Sequence, residues 1–134
     1  MQTTPREMFQ RIQQRLLSQS TALTGDDLAD DVIVETPFAA PGRPTRFEGK
    51  RQFLEFANPG RAAFPVRFDG CRAIAIHDTK DPDTIIVEYE LTGTSTETNR
   101  QSAAAFIVVL TVRDGKVVLW REYQNTLAIM QALA

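Results

Sequence analysis

A chain of 134 residues, 43% hydrophobic and 24% charged, has the profile of one soluble domain, large enough to fold without a metal or disulfide staple. Fifteen basic against seventeen acidic side chains give a net charge of -2, which argues against nucleic acid, whose binders concentrate positive charge. The single cysteine, Cys71, excludes an internal disulfide, and the single histidine, His77, excludes a multi-histidine metal centre. The apolar run Ala103 to Leu110 is too short to cross a bilayer, and the N-terminus lacks a charged-then-apolar export signal. The expectation is a single cytoplasmic domain over residues 1–134, with no nucleic-acid or membrane partner, that handles a small molecule or another protein.

The first element is well marked. Thr4-Pro5-Arg6-Glu7 combines an N-cap threonine, proline at the first helical position and a glutamate placed to close a capping box. Met8, Phe9, Ile12, Leu16 and Leu17 then recur at helical spacing, predicting an amphipathic helix over about Pro5 to Ser18. A short acidic helix or turn is expected near Thr24 to Ala29, then a strand over Val32 to Glu35. Pro37, Pro41, Gly42 and Pro44 impose an irregular loop. Glu48-Gly49 opens a second helix with Phe53, Leu54, Phe56 and Ala57 on one side, and Asn58-Pro59-Gly60 is expected to break or kink it.

After Phe64 the pattern turns to strands. Ala73 to His77, Ile85 to Leu91, Ala105 to Val112 and Val117 to Tyr123 are expected strands, with a polar hairpin loop over Thr92 to Arg100 and a tight turn at Arg113-Asp114-Gly115-Lys116. A short helix over Thr126 to Ala134 closes the chain. Helices first and a mainly antiparallel sheet afterwards make an α+β fold. Phe106 to Leu110 does not alternate, so both faces of that strand should be dry. Either a second subunit, making a homodimer through the outer sheet face, or the C-terminal helix would cover the second face.

This arrangement resembles the nuclear transport factor 2-like superfamily and its polyketide-cyclase-like (SnoaL-like) branch over nearly the whole chain. The resemblance is carried by Leu28 to Pro37, by Phe47-Glu48-Gly49-Lys50 and by Asp114 to Tyr123. It implies a cone-shaped (cystatin-like) barrel, a curved sheet wrapped around the N-terminal helices. Asp81-Pro82, Val87-Glu88, Asp114-Gly115-Lys116, Arg121 to Asn125 and Leu133 resemble the later half of the phenazine-biosynthesis A/B proteins. The resemblance implies that Glu122 is a cavity acid/base group, whereas the histidine and serine of that group fall at Ala57 and Arg61, a departure that argues against phenazine chemistry. Against the ketosteroid isomerases of the same superfamily, the general base falls at Thr36 and the oxyanion donors near Ile12 and Val108, which cannot run that proton transfer.

From the residues themselves, Glu122 lies at a strand end between Trp120 and Tyr123, where aromatic surface would desolvate a carboxylate and raise its pKa. The alternative is a salt bridge to Arg121 or another arginine. Glu88 and Glu90 share one strand face, either toward the cone or toward solvent. His77 ends a strand beside a turn, the setting of a surface hydrogen bond, and Cys71 has no neighbouring base to activate it. Thr36, Phe38, Phe53, Ala57, Phe106, Val108 and Trp120 are the expected lining residues for an apolar ligand. No phosphate-binding glycine loop is present, and no cofactor or metal is expected. The reading is a small-molecule-binding protein, acting as an isomerase, cyclase or dehydratase on a hydrophobic or cyclic metabolite through Glu122; the alternative is a non-catalytic binding or dimeric assembly module of the same fold.

Overall fold

The computed structural model describes residues 2–19 and 23–134. Helix α1 (Pro5–Leu17) begins with the capping box read from the sequence: the Glu7 amide donates to Thr4 Oγ1 at 3.2 Å, and the Thr4 amide donates to Glu7 Oε1 at 3.0 Å. Its stripe of Met8, Phe9, Ile12 and Leu16 is buried, because helical spacing brings these side chains onto one face.

Six strands receive that stripe. They are β1 (Leu28–Glu35), β2 (Arg46–Glu48), β3 (Val66–Asp78), β4 (Thr84–Ser95), β5 (Gln101–Arg113) and β6 (Lys116–Gln124). The order across the sheet is β2-β1-β6-β5-β4-β3. All pairs are antiparallel except β1 with β6, which is parallel. The sheet is curved and open, with β2 and β3 as its edges, so the expected barrel does not close. Val87, Tyr89, Val108, Leu110 and Val117 point inward and share one buried core with the apolar stripe of α1. The β5–β6 turn is tight because Asp114 and Gly115 both take positive φ, 52° and 74°, the geometry that matches strand twist.

The remaining helices are α2 (Lys50–Ala63) and α3 (Thr126–Ala132). Three elements depart from the expectations. The helix α2 runs through Pro59 to Ala63 rather than breaking at Asn58-Pro59-Gly60. Its half-buried residues Phe53, Ala57 and Arg61 stay on one stripe, and their packing offsets the hydrogen bond that proline cannot donate. Strand β4 continues through Thr92, Gly93 and Thr94 to Ser95, so the polar loop shrinks to residues 96–100. Gly93 fits there because any Cβ would lie 2.6 Å from Val66 Cγ1 on the neighbouring strand. Strand β3 begins at Val66, well before Ala73. The segment near Thr24 takes the turn form of the two expected there and leads directly into β1.

Asp27 pins this arrangement. It is 1% exposed, accepts from Arg11 Nη1 at 2.9 Å, pairs with Arg15 and takes the Thr24 hydroxyl at 3.4 Å. Its backbone carbonyl accepts from the Val117 amide at 2.7 Å. One residue therefore ties α1 to the start of β1 and β6. Replacing Asp27 by Asn leaves both guanidinium groups without their counter-charge; it is expected to cost about 2 kcal/mol, below the figure for a fully buried pair because Arg11 is partly solvated. Urea denaturation of the variant against wild type checks this value.

Candidate functional site

The half of the inner sheet face that α1 does not fill borders a cavity of about 760 Å³. Its walls come from α2, the loop after β1, the inner faces of β4, β5 and β6, and α3. Phe47 and Phe53 meet edge to face at 5.7 Å, and the rings of Phe47 and Phe56 lie tilted at 4.9 Å, so the α2 side is an aromatic wall. The helix α3 stays at the cavity because Asn125 Oδ1 caps it, accepting from the Ala128 amide at 3.0 Å. Arg100 Nη2 holds its other end by donating to the carbonyls of Gln131 at 3.0 Å and Ala132 at 3.2 Å. The Thr126 hydroxyl donates to the Phe38 carbonyl, joining α3 to the loop after β1.

Glu122 lies within this wall. Its inward direction follows from register: Glu122 stands opposite Val108, and Trp120 opposite Leu110, on the buried face of β5–β6. Tyr89 Oη donates to Glu122 Oε2 at 2.7 Å, and Trp120 Nε1 donates to the same oxygen at 3.1 Å. Both donors converge on Oε2; among the described residues none is recorded on Oε1, and the half-buried side chain borders the cavity. Burial raises the Glu122 carboxyl above its ordinary value, opposed by the hydrogen bonds from Tyr89 and Trp120, which favour the ionised form. The Tyr89 phenol is pushed far upward by burial and by the neighbouring carboxylate, so it remains a proton donor in the hydrogen bond. The arrangement is a carboxyl group with one oxygen anchored and the other available to a bound molecule.

Thr36, Phe53, Ala57, Phe106 and Trp120 line the cavity. Phe38 and Val108 do not. Phe38 is 60% exposed and packs edge to face on Tyr123 at 5.5 Å, while Val108 is fully enclosed in the core beneath α1. The Arg121 alternative is excluded by strand alternation, since Arg121 points to the opposite face and pairs with Glu35 at 3.3 Å. Tyr123 likewise lies on that face, so the aromatic partners of Glu122 are Trp120 and Tyr89. Tyr89 was signalled only indirectly, as the one hydroxyl on the apolar face of Ile85 to Leu91.

Glu88 and Glu90 face outward. Glu88 Oε2 lies 2.7 Å from His77 Nε2, and Glu90 meets Arg72 at 3.5 Å, so neither enters the cavity and His77 makes a surface contact. Burial pushes the Cys71 thiol up to about 11, leaving it protonated near neutrality. Arg61 and Arg43 also line the cavity and were not expected there as site residues.

Comparison with known proteins places this geometry. The SnoaL-like domain family matches residues 8–120. The chain belongs to the SnoaL-like family. An uncharacterised PhzA/B-like protein of Pseudomonas aeruginosa is 34% identical over 101 residues, covering 75% of this chain and 70% of that protein. Among solved structures, a provisionally assigned isomerase from Bacillus subtilis superposes with a TM-score of 0.85 at 23% identity, covering 96% of this chain and 91% of the other. An LEH-like epoxide hydrolase of Mycobacterium tuberculosis has a TM-score of 0.67 at 17% identity, covering 94% of this chain and 81% of the other. These likenesses establish the nuclear transport factor 2-like fold of this SnoaL-like chain. Among the described residues no helix is long and apolar enough to cross a membrane.

The pKa direction of Glu122 has a consequence for stability. The folded SnoaL-like domain holds this proton more tightly than the unfolded chain, whose carboxyl titrates near 4.5. The stabilisation is complete below that value and is lost as pH rises through the higher folded value. Glu122→Gln is expected to flatten this part of the curve while leaving the low-pH stability near wild type. Urea denaturation of both proteins between about pH 4 and about pH 9 tests the sign.

Proposed function

We propose that this SnoaL-like protein is a cofactor-independent acid/base catalyst acting on a small hydrophobic or cyclic metabolite. The observation that carries the reading is the Glu122 carboxyl, with Oε2 held by Tyr89 and Trp120 in the wall of an apolar cavity. A carboxyl whose pKa is raised toward neutrality can both give and take a proton there. Oε1 would exchange the proton with the bound molecule while Tyr89 and Trp120 keep the group oriented. A single group of this kind suffices for isomerisation, cyclisation, dehydration or imine formation, in which a proton moves between two atoms of the same substrate or onto a leaving oxygen. The provisionally assigned isomerase and the epoxide hydrolase among the structural relatives support such chemistry.

A thermal-shift screen of small apolar metabolites, repeated on Glu122→Gln, tests this. Ligands are expected to stabilise both proteins, while turnover of the active compounds falls by about 10²–10⁴ in the variant. Equal stabilisation of both proteins with no turnover in wild type would instead establish a binding module.

The protein is further proposed to pair with a second copy through the outer sheet face. Ile107 on β5, opposite the outward Glu88, is 42% exposed, and Ile74, at the bulge of β3 on the far side of β4, is 50% exposed, while α3 lies against the cavity and leaves that face uncovered. Sedimentation equilibrium is expected to give a dimer for wild type and a monomer for Ile107→Lys; a monomeric wild type overturns the pairing.

A further inference from the structure

Most of the arginines in this chain have an acidic partner. Of twelve, nine form ion pairs within 4.0 Å: Arg6, Arg11, Arg15, Arg46, Arg51, Arg67, Arg72, Arg113 and Arg121. Among the described residues, Arg43, Arg61 and Arg100 have no such partner, and Arg100 is occupied by the carbonyls at the end of α3. The other two both line the cavity.

Arg61 is the more confined of the two. It follows Phe53 and Ala57 at four-residue spacing on the α2 stripe that faces the cavity. Its guanidinium stacks on the Phe68 ring, 4.8 Å from the centroid. Among the described residues it donates to two neutral acceptors, the Val66 carbonyl at 3.4 Å and Gln19 Oε1 at 3.2 Å, and its enclosed Nε finds no acceptor there. A half-buried cation so incompletely compensated is costly in a free protein. No carboxylate in the cavity balances it: among the described residues Glu122 is the only carboxyl in the lining, and its hydrogen-bond partners are Tyr89 and Trp120 rather than Arg61.

We infer that the molecule taken by this cavity carries a carboxylate, which docks on the Arg61 guanidinium while its apolar body lies along the Phe47, Phe53 and Phe56 wall. This rests on the reading of the cavity as a ligand site, and it narrows the substrate class to hydrophobic monocarboxylic acids. A planar guanidinium matches a planar carboxylate in charge and in hydrogen-bond geometry. A dianion would need a second confined cation, whereas Arg43 is exposed on the loop, stacked on the Phe56 ring at 5.3 Å. Arg43 sits where it draws the anion toward the mouth of the cavity without holding it.

Displacement of the neutral fluorophore N-phenyl-1-naphthylamine by dodecanoate, dodecanol and dodecyl phosphate at about pH 8, well above the ordinary carboxyl range, tests the inference. Dodecanoate is expected to displace the fluorophore at about tenfold lower concentration than dodecanol, the size of effect that one charge-assisted contact gives. Dodecyl phosphate is expected to bring no gain over dodecanoate. In Arg61→Gln the preference for dodecanoate over dodecanol should collapse toward one while fluorophore binding persists, and Arg61→Lys should retain part of it. Failure of wild type to bind the fluorophore overturns the cavity reading itself. Fluorophore binding with equal displacement by acid and alcohol leaves that reading standing and overturns the anion. Tighter binding of the phosphate overturns the monocarboxylate, and a preference that survives Arg61→Gln overturns the role of Arg61. Circular dichroism checks that each variant is folded; if Arg61→Gln is not, the wild-type ratio and Arg61→Lys decide.

Discussion

The hydrogen bond from Tyr89 to Glu122, 2.7 Å long, joins the two uses to which one sheet face is put. On one side of Tyr89 the face is filled: its ring meets Phe9 of α1 edge to face at 5.3 Å. On the other it is open: the same ring stacks on Phe106 at 5.1 Å, and both residues line the cavity. Tyr89 is thus held by the core and reaches into the site. A hydrogen-bond donor fixed by packing on two sides does not have to be ordered when a ligand binds, and such preorganisation is what makes donors and acceptors in a site effective. The cavity exists because α1 is too short to cover the whole inner face, and α2, α3 and the loop after β1 wall in the remainder without filling it.

Strand alternation then sorts the charges. Along β6, Trp120 and Glu122 face inward, whereas Arg121 faces outward and finds Glu35 on the parallel neighbour β1. Along β4, Tyr89 faces inward between Glu88 and Glu90, which face outward to His77 and Arg72. A shift of either strand by one residue would exchange these sets, placing two carboxylates or an arginine in the core. The hydrophobic pattern that fixes register therefore also determines that a single carboxyl enters the cavity, and the low polarity of its surroundings raises its pKa.

What could be read from the chain follows the same division. The N-terminal helix and the Asp114-Gly115 turn were legible because each depends on local chemistry, a capping box and a turn-forming pair, whereas Glu122 beside Trp120 was open to a pocket or to a surface ion pair. The partners of Glu122 were only half legible. Trp120 is two residues away, but Tyr89 is 33 residues distant and is brought near by the β4–β5–β6 register, which no local pattern encodes. Phe38 was misplaced because a proline-rich loop carries no periodicity from which to infer direction; its ring turns outward onto Tyr123 while its backbone carbonyl receives Thr126. Val108 was misplaced for the opposite reason, since an inward residue on β5 can meet either α1 or the cavity, and the sequence does not say where α1 ends its coverage.

The treatment of Pro59 had the largest consequence. A helix broken at Asn58-Pro59-Gly60 ends the α2 stripe at Ala57 and leaves Arg61 on a surface loop, where a lone arginine carries no information. With α2 continuous to Ala63, Phe53, Ala57 and Arg61 become three successive positions of one cavity-facing row. Proline forbids one backbone hydrogen bond and crowds the preceding turn, yet those penalties are finite, and burial of the row against the sheet opposes them. The same continuity that defeats a local rule carries a cation into an apolar cavity. Tertiary packing thereby gives Arg61 a setting in which its missing counter-charge is a chemical statement about the ligand.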